Sequence, residues 1–171
     1  MQHNSLQVVQ GDILDRVSLD AMQQQDAVIS SLGTRKISFE PVTLLSEGTK
    51  NLVQAMERHG VKRLICITGV GAGDSKGHGG FFYDKLILPL ILQRIYDDKD
   101  RQEAEIRQSN LDWTIVRPGG LTDDPAKGHY RVMTDLTGVT AGKISRSDVA
   151  DFVLHQLSDD LYLHQAPLIF Y

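Results

Sequence analysis

One cysteine in 171 residues leaves no intrachain disulfide to staple a fold, so stability has to come from a packed core. That residue, Cys66, lies inside the apolar run Leu64-Ile65-Cys66-Ile67 and reads as a small core side chain rather than a nucleophile. Excess positive charge is missing as well: 18 Lys and Arg stand against 22 Asp and Glu, a formal net charge of −4. With no basic field to attract a phosphate backbone or an anionic bilayer, neither nucleic acid nor a membrane surface is an expected partner. Long hydrophobic runs are also lacking. The most apolar stretch, Phe81 to Tyr96, is broken by Asp84, Lys85, Pro89, Gln93 and Arg94 and falls short of the roughly 20 apolar residues of a membrane span. It reads as a buried or partner-facing helix. Met1-Gln2-His3-Asn4-Ser5 has neither the basic nor the apolar region of a secretory signal, and a cytoplasmic location is the expectation. His3, His59, His78, His129, His155 and His164 form no H-x-H or H-x-x-x-H pair and no Cys/His cluster exists, so no metal is expected. Without a G-x-S-x-G elbow, an α/β-hydrolase is disfavoured.

What is present is enough for a single domain over residues 1–171, because 41% hydrophobic content can fill one core. Short apolar runs alternate with helical periodicity, the pattern of βαβ units and a mainly parallel sheet. Leu6–Val9, Ala27–Ser31, Arg63–Thr68 and Trp113–Arg117 read as strands, and Leu168–Tyr171 as a further candidate. Asp15 is placed to cap a short helix reaching about Gln23. Val42 to His59 carries Leu45, Leu52, Val53 and Met56 on one stripe, with Gly60 placed to end the helix. Asp97 to Gln108 reads as a charged helix with a solvated face and an i,i+4 pair of Lys99 with Glu103. Ser145-Arg146-Ser147-Asp148 resembles a capping box ahead of a helix whose Val149, Phe152, Val153 and Leu157 form an apolar face.

In an open parallel sheet, ligands bind outside the carboxyl ends of the strands, where backbone N–H groups and helix N-termini converge. Four segments meet that condition: Gly11-Asp12-Ile13, Ser31-Leu32-Gly33-Thr34-Arg35, Thr68-Gly69, and Pro118-Gly119-Gly120-Leu121. Gly33 lets a ligand approach the backbone, and Arg35 offers a fork for a phosphate. The same segments also read as ordinary turns, since Gly and Asp at strand ends are common in α/β folds. The Gly-rich stretch at 69–80 fits neither G-x-x-x-x-G-K-[ST] nor G-x-G-x-x-G in register, and reads as a substrate-side loop, a lid or a plain surface loop.

Taken together, the strings VQGDILD at 9–15, VISSLGT at 28–34, GTKNLV at 48–53, GVKRL at 60–64, SNLDWTIVRPGGL at 109–121 and ISRSDVA at 144–150 resemble the atypical short-chain dehydrogenases/reductases. Within that group the pattern is similar to NmrA-like and biliverdin reductase B-like NAD(P)-binding proteins. The resemblance implies a Rossmann-type, doubly wound, mainly parallel sheet lacking the first strand, its Gly-rich turn, the first helix and the second strand. It also implies an NAD(P) cofactor, with Asp12 and Ile13 near the adenine, Leu32, Gly33, Thr34 and Arg35 along the cofactor, and Pro118, Gly119, Gly120 and Leu121 near the nicotinamide. Lys99 falls on the lysine of the group's Tyr-x-x-x-Lys pair, but Ile95 occupies the tyrosine position and Tyr96 comes one residue late. Gly69 stands where a carbonyl-orienting serine is usual, with Thr68 beside it; Lys99 and Thr68 are therefore the candidate catalytic residues. The implied activity is hydride transfer to a small carbonyl or quinone-like compound, with cofactor affinity weakened by the missing pyrophosphate turn. A non-catalytic redox-sensing or protein-interaction module is the alternative. In the strand order 3-2-1-4-5-6 the missing pair belongs between Leu6–Val9 and Ala27–Ser31, so a homo-oligomer or a rearranged sheet is expected.

Overall fold

The computed structural model describes residues 3–34 and 41–171; Arg35 lies outside the described residues. Three parallel strands form the heart of the sheet: β1 (Ala27–Ser30), β2 (Arg63–Ile67) and β3 (Asp112–Pro118). Between β1 and β2 runs α1 (Leu44–His59), and between β2 and β3 runs α2 (Gln93–Gln108), so each connection is a crossover of the βαβ kind. Past β3 come the short strands β4 (Gly120–Thr122), β5 (Arg131–Met133) and β6 (Lys143–Ser145), then α3 (Arg146–His155) and β7 (Leu168–Phe170). The main sheet has the order β1-β2-β3-β7-β5, antiparallel only at its last pair, while β4 and β6 form a small parallel pair.

Strand alternation explains why helices cover both faces. On β2, Leu64 and Cys66 point into a core with Leu52, Met56 and Ile106 from α1 and α2, while Ile65 points into a second core with Val149, Phe152 and Val153 of α3. Gly60 ends α1 as its composition suggests, at φ +75°. Asp15 starts its own turn, accepting from Val17 N at 3.1 Å, although the helix that follows is only a 3-10 segment, Ser18–Met22.

Three expectations are corrected. Leu6–Val9 is irregular and exposed rather than a strand, because none of the described strands runs beside it and its apolar side chains have no sheet face to cover. The strand order among the described residues is therefore not rearranged; β1 simply has an outer edge without a described partner. The helix from 81 to 96 is in fact a π-helix over Tyr83–Leu92 that continues directly into α2, so the charged helix begins at Gln93 rather than Asp97. Pro89 lies inside this π segment and has no N–H to give. Finally, α2 is solvated over only part of its polar surface, with Arg94, Arg101, Arg107 and Gln108 exposed. Asp98, Gln102 and Glu103 are all buried, and Glu103 pairs with Arg117 and not with Lys99.

Candidate functional site

The tips of β1, β2 and β3 open onto one cleft. Its first half, about 610 Å³, is bounded by Leu32 and Gly33 after β1, Ile67 at the end of β2 and Thr68 just past it, Leu121 on β4, and Arg146, Val149 and Val153 on α3, with Lys99 reaching in from α2. Its second half, about 470 Å³, begins at the same Thr68 and Leu121 and continues along Gly69, Pro118, Gly119 and Gly120 to Tyr83, Tyr96 and Lys143. The turns after β2 and β3 are joined where Val70 N donates to Pro118 O at 3.0 Å, and Gly120 N donates to Gly142 O, just before β6, at 3.0 Å. Thus the Gly33 turn and the bend after Arg117 share one rim, as strand-end reasoning requires.

Smaller differences emerge at the front of the chain. Ile13 lines a shallow hollow of about 250 Å³ with Val28, Ser31, Leu32 and Leu52, adjoining the cleft through Ser31 and Leu32. Asp12 makes a turn instead: its Oδ1 accepts from Leu14 N at 2.9 Å, and it lines none of these hollows. Thr34 is described but does not line the cleft. A Cβ built on Gly33 meets no atom of the described residues within 4 Å, so they leave room for a ligand at this backbone.

Beneath the cleft floor lies a buried charge network. Arg117 is fully buried and donates to Glu103 through Nε at 3.0 Å and Nη2 at 2.5 Å, and its Nη1 lies 2.6 Å from Asp74. Thr68 Oγ1 donates to Glu103 at 2.8 Å, so its hydroxyl faces the network, while its carbonyl accepts from Lys99 Nζ at 2.8 Å. The Glu103 carboxylate and the Lys99 ammonium thus hold the tip of β2, with the Arg117 guanidinium fixing Glu103 from behind. Burial pulls the Lys99 ammonium below the ordinary lysine range. The same burial pushes the Cys66 thiol up to about 12, which leaves it unreactive in the core.

Tyr96, one residue past the expected position, still reaches the site. It is buried, and its hydroxyl accepts from Tyr83 Oη at 2.6 Å in the second half of the cleft. Tyr83, Lys143 and Arg146 escaped the sequence reading: Tyr83 was hidden in an apolar run and the other two in a cap region. Only an unpaired hydroxyl in the Phe81 to Tyr96 stretch could have signalled the first.

The family described as NAD(P)H-binding matches residues 1–160. The chain belongs to the NAD(P)H-binding family. An uncharacterised chloroplast protein of Arabidopsis thaliana is 31% identical over 163 residues, which is 90% of this chain and 56% of that protein. The chain spans little more than half the length of the curated relatives it matches. Among solved structures, an oxidoreductase from Lactococcus lactis superposes with a TM-score of 0.82 at 23% identity, covering 99% of this chain and 74% of the other. A short-chain dehydrogenase/reductase from Veillonella parvula, solved in complex with NADP, gives 0.78 at 19% identity with coverage of 99% and 74%. These likenesses establish the Rossmann-like fold of this family member, mixed α/β with a mostly parallel sheet. No helix of the described residues is long and apolar enough to cross a membrane.

Proposed function

We propose that this chain supplies the nicotinamide and substrate half of an NAD(P)H-dependent oxidoreductase that reduces a small carbonyl or quinone-like compound. The observation that carries the reading is the continuous cleft across three strand tips, apolar on its walls and holding one partly buried ammonium, Lys99, at its floor. The residues suit such a cofactor. Ile29, Ile67 and Val149 offer flat apolar contact, Gly33 leaves room at the backbone, and Lys99 keeps N–H donors beyond the one given to Thr68 O. Ile13 and Leu32 would flank the adenine end, Lys99 would bind hydroxyls of the sugar, and Gly119 to Leu121 would border the nicotinamide. When bound, a reduced nicotinamide supplies a hydride.

Thr68 acts here through its backbone: Glu103 holds the hydroxyl, and the carbonyl then fixes Lys99. Arg146 stands at the mouth of the cleft, paired with Asp123 at 2.8 Å, where it can turn to an anionic group. Among the described residues no Gly-rich turn runs into a helix N-terminus at this rim, so cofactor affinity is expected to be modest. Isothermal titration of the 171-residue chain with NADPH should give a Kd weaker than about 10 μM, some 7 kcal/mol or less of binding free energy. Low-micromolar or tighter binding would overturn the weak-affinity part of the reading. Consumption of NADPH with a carbonyl and quinone panel tests the rest.

A second reading is a non-catalytic interaction module, favoured by the exposed apolar side chains Phe81, Phe82, Leu86, Ile87, Leu90 and Ile91. Unchanged NADPH fluorescence on mixing, together with no turnover of the panel, would favour this module over the enzyme.

A further inference from the structure

The Gly-rich loop has a physical explanation in the two tyrosines. A Cβ on Gly71 would come within 2.7 Å of Leu88 and 3.1 Å of the Tyr96 ring, and one on Gly79 would lie 2.9 Å from Tyr83 Cε1, overlapping the ring. On Gly69 it would press on the Tyr96 hydroxyl at 3.2 Å. The glycines thus form a seat for two rings that meet edge to face, with centroids 6.3 Å apart and planes at 81°. This seat brings Tyr83 Oη within 2.6 Å of Tyr96 Oη, inside the second half of the cleft. Tyr96 is the deeper of the two; Tyr83, at the start of the π-helix, is the half-buried one that borders open space.

We propose that Tyr83 is the proton donor of this cleft and Tyr96 its positioning partner, which makes the substrate a carbonyl compound whose oxygen must be protonated. The inference rests on the reductase reading given above. Reduction of a carbonyl adds a hydride to carbon, supplied by the reduced nicotinamide, and moves the C=O π pair onto oxygen. That oxygen takes the Tyr83 proton; the resulting phenolate accepts a hydrogen bond from Tyr96 and regains a proton from water. A quinone would not depend on such a donor, because its reduced oxygens can be protonated by solvent.

The donor arrangement has a direction. Burial raises both phenols, but the hydrogen bond from Tyr96 favours ionised Tyr83, whereas its counterpart disfavours ionised Tyr96. The charged groups facing Tyr83 are Asp84 on its own helix, which opposes ionisation, and Lys143 on β6 across the cavity. At neutral pH the hydroxyl therefore keeps a proton to give.

The test has two arms. In the first, phenolate absorbance is followed against pH in the cofactor-free protein and in Tyr83→Phe and Tyr96→Phe variants. Tyr96→Phe should move the Tyr83 ionisation to higher pH; an unchanged Tyr83 titration would overturn the pairing. In the second, NADPH oxidation is measured with 4-nitrobenzaldehyde and with menadione. Tyr83→Phe should lower kcat for the aldehyde by about 100-fold or more, and far more than it lowers kcat for menadione. Tyr96→Phe should lower kcat less and displace the alkaline limb of the pH profile upward. Wild-type kcat for the aldehyde in Tyr83→Phe would overturn the proposal. A wild-type protein that oxidises NADPH with neither compound would count against the reductase reading instead, with the first arm still deciding the tyrosine pair.

Discussion

Glu103 shows how much one side chain on α2 can organise. It is buried, receives two hydrogen bonds from the fully buried Arg117 and one from Thr68, and so connects β3, the β2 tip and the helix. Removing it would leave the fully buried Arg117 guanidinium with Asp74 as its remaining carboxylate partner, and breaking a buried ion pair from one side is costly. Glu103→Ala is expected to lose about 3–5 kcal/mol in urea unfolding, and Glu103→Gln less, because an amide still accepts from Thr68 and Arg117. Loss of under about 1 kcal/mol in the alanine variant would show that Asp74 alone neutralises Arg117. Sequence spacing pointed to Lys99 as the partner of Glu103. Local spacing gives the neighbours along a helix, but not which face the rest of the chain covers, and here Lys99 turns to Thr68 O while Glu103 turns inward. The place of Gly33 and Leu121 on the cleft was legible because strand ends carry their own signal, whereas Tyr83 gave none.

Helix ends carry the next set of expectations. The start of α1 has no capping side chain of its own; Asp98 of α2 accepts from Leu45 N at 2.8 Å and from Ser46 Oγ at 2.5 Å, so one helix caps the other. Asp98→Asn should cost about 2 kcal/mol by chemical denaturation, since a charged acceptor is replaced by a neutral one that cannot satisfy the same donors. The capping box at α3 was legible, with Ser145 Oγ accepting from Asp148 N at 3.0 Å. Its reach was not: the Asp148 carboxylate also accepts from Tyr171 Oη at 2.5 Å and from Lys127 N and Gly128 N. The Tyr171 hydroxyl above all, then the loop amides, holds Asp148 below its ordinary 3.8, at about 2. A carboxyl depressed in the folded state contributes stability that is fully present above its unfolded value and lost as pH falls through the folded one. Acid unfolding followed between about pH 4 and pH 2 should therefore be steeper in the wild type than in Asp148→Asn; equal slopes would refute the assignment. The three-residue strands β4, β5 and β6 left no readable alternation, being too short to show a period.

At the scale of the whole molecule, the layered fold was legible from the alternation of apolar strands and amphipathic helices, and the parallel order of β1, β2 and β3 follows from their crossover lengths. Leu6–Val9 was misread because an apolar run becomes a strand only beside another strand. The π-helix that leads into α2 leaves a larger apolar surface uncovered. Phe81 and Phe82 are each 72% exposed, and Leu86, Ile87, Leu90 and Ile91 follow them along the same segment. A typical dimer buries about 800 Å² per partner, and two aromatic and four aliphatic side chains supply much of that area without any new element. The occupant we propose for this face is a second copy of the chain, because a two-fold axis would bring the same apolar side chains together. Sedimentation velocity should then show a concentration-dependent dimer, and the Phe81→Ser/Phe82→Ser double variant should shift it to monomer while Tyr83 keeps its place. A wild-type chain that stays monomeric at concentrations of about 100 μM would mean that this face binds a different partner or none. If instead the dimer survives the double substitution, association runs through the open outer edge of β1, whose backbone groups have no described partner strand.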